Sequence, residues 1–357
     1  MGSRFCRNPR SSNLIKKLLI PLSAVLVLWA GASCTQPLEP LVETGGVELS
    51  FTIGEPLTRA VTPGNGTVAD GGGIYLDNGV PDLKIFILGG GSVVARYPGS
   101  SATLTSVSDT RATVKFTGLE NNATYKVYAF ANTGSSLTVN GSPDWNSIGT
   151  ATALDALVYT ALADNTPPSV GGRMPLSAKG TLSVNSYGSG SVDLELLRSL
   201  AKVQVIFKNL TGSMLTLTDC DVSITSINPT QGYVFQHTGD DVTGTNRPLS
   251  FPTQTLSGIP VQEGVNEASL DPLLVFPSIA EMQGGYRRYL CNISFSVADN
   301  DHTFTDLPVH NSLSQDITSL GRNQFLKIEV RISRGEEISF NFEVANWVEK
   351  TESVEFD

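Results

Sequence analysis

Apolar residues along this chain return at every second position far more often than at every third or fourth. The alternation is clear in VELSFTI (Val47 to Ile53), DLKIFIL (Asp82 to Leu88), ATVKFTG (Ala112 to Gly118) and TYKVYAFAN (Thr124 to Asn132). It returns in AKVQVIFKN (Ala201 to Asn209), NISFSVA (Asn292 to Ala298), FLKIEVRIS (Phe325 to Ser333) and ISFNFEVANWV (Ile338 to Val348). A period of two places alternate side chains on opposite faces of an extended chain, and these segments are rich in Val, Ile, Phe and Tyr and bounded by Gly, Pro, Asn and Asp. They predict half-buried strands of antiparallel sheets, so the fold class is all-β, built as sandwiches. One short helix is predicted at TALDALVYTALA (Thr152 to Ala163). Ser and Gly crowd together in SVNSYGSGSVD (Ser183 to Asp193), between two strand-rich blocks of similar size. That composition suits a linker between two domains, and equally a long hairpin loop.

The length of 357 residues, with 40% hydrophobic and 16% charged residues, accommodates two domains with real cores. Arg4, Arg7, Arg10, Lys16 and Lys17 precede the apolar run Leu18 to Ser33, in the order of an export signal. Pro21 and Ser23 interrupt the run, which falls short of the roughly 20 residues that a membrane-crossing helix needs. The run closes on AGASC, which resembles the lipobox of bacterial lipoproteins, with Cys34 as the diacylated new N-terminus; the alternative is plain cleavage near Ser33. Losing five bases and no acid takes the formal charge from −10 to −15. Such an acidic chain repels phosphate backbones, so no nucleic-acid partner is expected.

Little in the sequence points to catalysis. His237, His302 and His310 stand apart from any nucleophile motif, and neither HExxH nor GxSxG occurs. The glycine runs at Asp70 to Gly73 and Gly89 to Gly91 lack the Lys-Ser/Thr of a phosphate loop and read as turns. The acidic group Asp299 to Asp306 lacks the spacing of a calcium loop and reads as a solvated turn. No catalytic residue, cofactor or metal is therefore expected. Cys220 and Cys291 are left in the body of the chain, as a bridge or as two buried thiols.

Several local patterns resemble the type V pilins, the fimbrillins of gut and oral anaerobes. TYKVYAFAN resembles a strand of the family's first domain that ends in Asn. GRMPLSAKG (Gly172 to Gly180) resembles its Met-Pro turn, and VDLELLRSLAKVQVIFKN (Val192 to Asn209) the strand that opens its second domain. LTRA (Leu57 to Ala60) and FEVANWVEKTESVEFD at the C-terminus complete the series in the family's order. The resemblance implies two tandem transthyretin-like sandwiches, export as a lipoprotein, removal of the first strand by proteolysis after an arginine, and polymerisation by strand exchange. Carried onto this chain, the organisation is a signal peptide over 1–33, a lipidated propeptide over 34–59, a first sandwich over 60–187 and a second over 188–357.

Each implied step has residues to carry it. Val47, Leu49, Phe51 and Ile53 share one face of the first strand, and four such side chains represent about 6–12 kcal/mol of burial. Arg59 and Ala60 form the cleavage site for a trypsin-like, arginine-specific protease, in the turn-rich setting where proteases cut. Trp347 and Val348 would seat the base of a donor strand, with Val354 and Phe356 its outermost inserted side chains. Val354 to Phe356 (VEF) repeats the apolar-polar-apolar order of Val47 to Leu49 (VEL).

The expected partners are thus other copies of this chain and related pilin subunits, with the outer membrane reached through the lipid of the precursor and surface receptors on host or bacteria reached by the fimbria. Rival readings are a tip subunit, an uncut anchor subunit that keeps its lipid, and a non-polymerising surface lipoprotein that binds glycans. A tip subunit should carry a further domain in place of the donor tail, and an anchor should lack the arginine. A glycan binder needs an aromatic platform, for which Trp29, Trp145 and Trp347 are poorly placed.

Overall fold

The computed structural model describes residues 46–53, 74, 76–108, 110–133, 137–138, 145–160, 174–237, 242–298 and 300–346. They form a nearly all-β body in which the chain builds one sandwich and then a second. The first contains β1 (Val47–Ile53), β2 (Leu83–Gly89), β3 (Ser92–Tyr97), β4 (Ala102–Val107), β5 (Arg111–Phe116), β6 (Thr124–Ala131), β8 (Leu176–Ser183) and β9 (Gly190–Arg198). Between β6 and β8 lie α1 (Ala151–Asp155) and β7 (Val158–Thr160). Hydrogen bonding runs β3-β2-β6-β8-β9-β1-β5-β4. β8 and β9 pair only at Leu176↔Arg198 and Ser177↔Leu197, then part, so this path folds into two layers. Ile85, Ile87, Val127, Leu182, Leu194, Val114 and Phe116 join Val47, Leu49 and Phe51 in the core that the layers enclose.

β2 departs from simple alternation because both of its faces are covered. Leu83, Ile85 and Ile87 enter the sandwich core, while Phe86 and Leu88 point the other way into a second cluster with Tyr128, Phe130, Leu154, Tyr159, Phe235 and Phe276. This second cluster joins the two sandwiches.

The second sandwich contains β10 (Ala201–Leu210), β11 (Leu215–Tyr233), β12 (Thr243–Ser250), β13 (Gln254–Ile259), β14 (Glu267–Ser269), β15 (Leu273–Val275) and β16 (Ser278–Ile279). It continues through β17 (Met282–Gln283), β18 (Tyr286–Arg287), β19 (Leu290–Val297), β20 (Asn300–Pro308), β21 (Ser319–Leu320), β22 (Gln324–Ser333) and β23 (Ile338–Asn346). One layer runs β14-β10-β22-β23. The other centres on β11, which pairs with β12, β13, β19 and also β7, so the earlier part of the chain contributes a strand to the later sheet. Val203, Val205, Phe207, Val222, Ile224, Phe295, Ile328 and Val330 lie in the common core.

Three expectations change here. The Ser/Gly-rich stretch is the turn between β8 and β9, where the Asn185 side chain accepts from the amides of Tyr187 (2.9 Å) and Ser189 (3.0 Å). β9 lies beyond the expected boundary at 188 yet belongs to the first core through Leu194 and Leu196, and the chain changes sandwich only between Leu196 and Ala201. The helix is shorter than predicted. Thr150 caps α1 by accepting from Ala153 N at 3.2 Å, and after Leu157 the β-branched Val158 and Thr160 flank buried Tyr159 in β7. Finally, two pairings are parallel, β1 with β9 and β10 with β22. Alternation fixes which face is buried and is silent on strand direction.

Polar side chains lock the junction that the aromatic cluster fills. Lys179 Nζ meets Asp155 Oδ1 at 2.6 Å and the Gln236 carbonyl at 3.0 Å, and lies 5.2 Å from the ring centre of Tyr128. Burial, and next the charge of Asp155, push the Tyr128 hydroxyl up to about 12, so it stays protonated. Arg322 donates to the carbonyls of Tyr233 and Val234, the latter at 2.8 Å, and Arg198 Nη1 donates to Asn323 Oδ1 at 3.2 Å.

Candidate functional site: the first strand and its slot

β1 is an interior strand. On one side it pairs in parallel with β9, from Val47↔Gly190 to Ile53↔Leu196; on the other it pairs antiparallel with β5, from Val47↔Phe116 to Thr52↔Arg111. Val47, Leu49 and Phe51 are at most 2% exposed, because the period of two sends all three into the core between the layers. Glu48 faces solvent. Ser50, on the same outer face, is covered by Arg111, whose Nη2 lies 3.3 Å from Ser50 Oγ and 3.8 Å from Asp193. Arg111 thereby spans all three strands, from β5 across β1 to β9.

Of the residues singled out in the sequence, Val47, Leu49 and Phe51 are brought together as expected. Ile53 continues the strand, although its side chain lies outside the described residues. Cys34, Arg59, Ala60, Trp347, Val348, Val354 and Phe356 also lie outside the described residues. The last described strand, β23, is antiparallel to β22 and stands at the edge of its sheet, with Asn346 opposite Gln324. The slot walls were not recognised from the sequence as belonging to a site. ATVKFTG reads as a strand, but nothing local says that it borders β1, and VDLELL looks like the opening of the second domain.

Other candidate chemistry dissolves into structure. His237 Nε2 lies 2.8 Å from the Asp155 carbonyl and its ring stacks on Tyr233, and His310 packs against Phe342. His302 stands beside Phe295 on the β19–β20 hairpin, where β20 also carries Asp301 and Asp306 of the acidic group. Among the described residues no group of three or more His, Cys, Asp or Glu could hold a metal ion, and no helix is long and apolar enough to cross a membrane. Cys220 and Cys291 are buried free thiols, and burial pushes both up to about 12. An open cleft of about 520 Å³ in the second sandwich, lined by Thr211, Ser213, Met214, Val297 and Arg334 among others, carries no aromatic side chain.

The chain is thus a two-sandwich all-β body whose apolar-faced first strand is bonded on both edges. The sequence profile of the fimbrillin-A associated anchor proteins Mfa1 and Mfa2 matches residues 39–353, and the chain belongs to that family. It is thus a fimbria-associated surface protein of the fimbrillin type that its motifs resemble. No curated protein sequence matches it. Among solved structures, a candidate cell adhesion protein of Bacteroides eggerthii shares the fold, with a TM-score of 0.53 and 16% identity over 85% of this chain and 96% of its own. A counterpart from Bacteroides uniformis overlays with a TM-score of 0.45 at 16% identity, covering 85% and 98%. The fimbrial anchor protein Mfa2 from Porphyromonas gingivalis overlays at 0.39 with 10% identity, covering 85% and 97%.

Proposed function

We propose that the chain is a fimbrial subunit exported as a lipoprotein through Cys34, and that β1 is its exchangeable strand. Cleavage between Arg59 and Ala60 releases the segment that carries both lipid and strand, and a donor strand from another subunit takes the vacated slot. The observation that carries this reading is the position of β1, bonded on both sides with its apolar face in the core. Emptying the slot uncovers sites for three side chains worth about 4–9 kcal/mol of burial, comparable with the 5–15 kcal/mol by which a domain is stable. It also exposes two unpaired strand edges, which a strand of matching alternation can satisfy. The donor in this reading is the tail beyond Asn346, with Trp347 and Val348 seating its base and Val354 and Phe356 its outermost side chains inserted in a neighbour.

A second reading is favoured by the family itself, whose description is of anchor proteins. An anchor would keep Cys34, its lipid and β1, and would receive the fimbria without being cut. The glycan-binding alternative gains nothing from the cleft, which offers no ring for a sugar to stack on. N-terminal sequencing of the protein extracted from the cell surface, with electron microscopy of the same material, separates the first two. A terminus at Ala60 in polymer supports exchange, whereas a lipidated Cys34 on every copy overturns it in favour of the anchor.

A further inference from the structure

β23 is a sheet edge without defences. Among the described residues it pairs with β22 alone, from Gln324↔Asn346 to Ile332↔Ile338, and no bulge interrupts the ladder. It contains no proline, and its one charged residue is Glu343. An edge in that state accepts another strand, which is why proteins blunt their edges with charges, prolines, bulges or cover. The other long edges of this chain are blunted. β20 slips register between Cys291 and Ile293, holds Asp306 at φ 55°, carries Asp301 as well and ends on Pro308. β12 slips twice against β11 and contains Arg247 and Pro248. β4 slips between Leu104 and Ser106, and β3 is covered by a segment whose Gly149 carbonyl accepts from Val93 N at 2.9 Å. β23 also leaves apolar surface part-open, because Ile338, Phe340 and Val344 pack on the second core yet are only half-buried. On its other face Ser339 and Glu343 are exposed.

We propose that β23 pairs antiparallel with β23 of a second copy, about a two-fold axis at Asn341. The strand's own sequence selects that partner and that register. Asn341 of one copy meets Asn341 of the other, Ser339 meets Glu343 on each side of the axis, Phe340 meets Phe342 and Ile338 meets Val344. Apolar side chains stay on the core side of the joined layer, and the Ser339 hydroxyl donates to the Glu343 carboxylate on the outer side. Neighbouring registers are worse. An axis at Glu343 opposes that carboxylate with itself, an axis at Phe340 opposes it with Glu337, and an axis at Phe342 sets Ile338 against Asn346. Two-fold pairing uses the edge in both copies and closes at the dimer. It involves no residue of the β1 slot, so it holds whether β1 is exchanged or kept. Held by surface pairing alone, the dimer comes apart in SDS and adds no rung to a ladder of strand-exchanged subunits.

Cysteine pairing reads both the partner and the register. With Cys6→Ser and Cys34→Ser in the full chain, the remaining thiols, Cys220 and Cys291, are buried. Directly opposed residues have Cα atoms about 4.5–5.5 Å apart, within the reach of a disulfide, whereas four residues out of step is roughly 13 Å. Asn341→Cys is therefore expected to give a disulfide-linked dimer under mild oxidation. Ser339→Cys and Glu343→Cys each stay unlinked alone and link to one another when mixed. Ser339→Glu, which opposes two carboxylates on each side of the axis, should weaken the dimer about tenfold in sedimentation equilibrium, and adding Glu343→Lys should restore it. A chain that stays monomeric throughout the sedimentation series, or an Asn341→Cys yield no higher than that of Ser339→Cys, overturns the proposal. So does a dimer that forms only after residues 349–357 are deleted, which would assign the edge to the chain's own tail.

Discussion

Asn132 Nδ2 donates to the Met174 carbonyl at 2.7 Å, tying the end of β6 to the chain two residues ahead of β8. Asn132 is fully buried and sits at φ 62°, where asparagine is tolerated better than other residues bearing a Cβ. Its own amide donates to the Asp82 carbonyl at 3.0 Å. Asn132→Ala is expected to cost about 2–4 kcal/mol, from an orphaned buried carbonyl and a left-handed backbone. Asn132→Gly loses the bond but relieves the backbone, and should be about 1 kcal/mol milder. Urea midpoints of the two variants check both the size and the order.

Cys220 and Cys291 cannot bridge. Val222 pairs with Ile293, which brings Ile224 level with Cys291 and leaves Cys220 four residues away along β11. That is roughly 13 Å, against Cα separations of at most about 7 Å in disulfides. With both thiols buried and held near 12, a thiol reagent at pH 8 should leave them unlabelled in the folded protein and label both after denaturation. Peptide mapping by mass spectrometry distinguishes them from Cys34.

Glu329 predicts a pH dependence. Burial favours its neutral form, but the hydrogen bond from Arg331 and the charge of Lys327, whose Nζ lies at 3.3 Å, outweigh it and hold the carboxyl below its ordinary value. A depressed folded-state value means the unfolded chain binds a proton more readily. The stability from Glu329 is therefore present above the ordinary carboxylate range and lost as pH falls through and below it. Glu329→Gln should be less stable than wild type at pH 7, with the gap closing toward pH 3 in a series of urea titrations.

Arg59→Ala is expected to leave lipid-bearing, unpolymerised protein in the membrane fraction. Deleting residues 349–357 from protein already cut at Arg59 should instead yield a folded monomer without an SDS-resistant ladder. A normal ladder from the deletion would remove the tail from the joining mechanism, and abundant polymer from Arg59→Ala would remove the cut.

What the sequence made legible follows from what each residue meets in the fold. Alternation exposed most long strands because one face of each meets a core and the other meets water. β2 blurred it, since Phe86 and Leu88 are buried in the junction cluster. β7 hid behind Ala- and Leu-rich neighbours that read as helix, and β9 was set in the wrong half because a Ser/Gly turn has the composition of a linker. The motifs AFAN, RMPLSAKG and RSLAKV proved informative for a common reason: they converge at the junction. Asn132 holds Met174, the Ser199 amide donates to the Pro175 carbonyl at 2.9 Å, and Lys179 reaches across to the second sandwich. The apolar face of β1 was visible in seven residues, whereas its neighbours were not, because they come from distant segments and one runs parallel.

The double pairing of β1 also has a mechanical meaning. Its ladder bonds to β5 stand across the strand, and those to β9 slant across it, so a pull along the strand axis loads both ladders together in shear. Peeling sideways would break them one after another, but an interior strand flanked on both edges offers no free side from which to peel. A tether attached ahead of Gly46 and pulled along that axis would therefore hold until the whole strand slides at once, so pairing on both edges makes β1 a grip while the chain is whole.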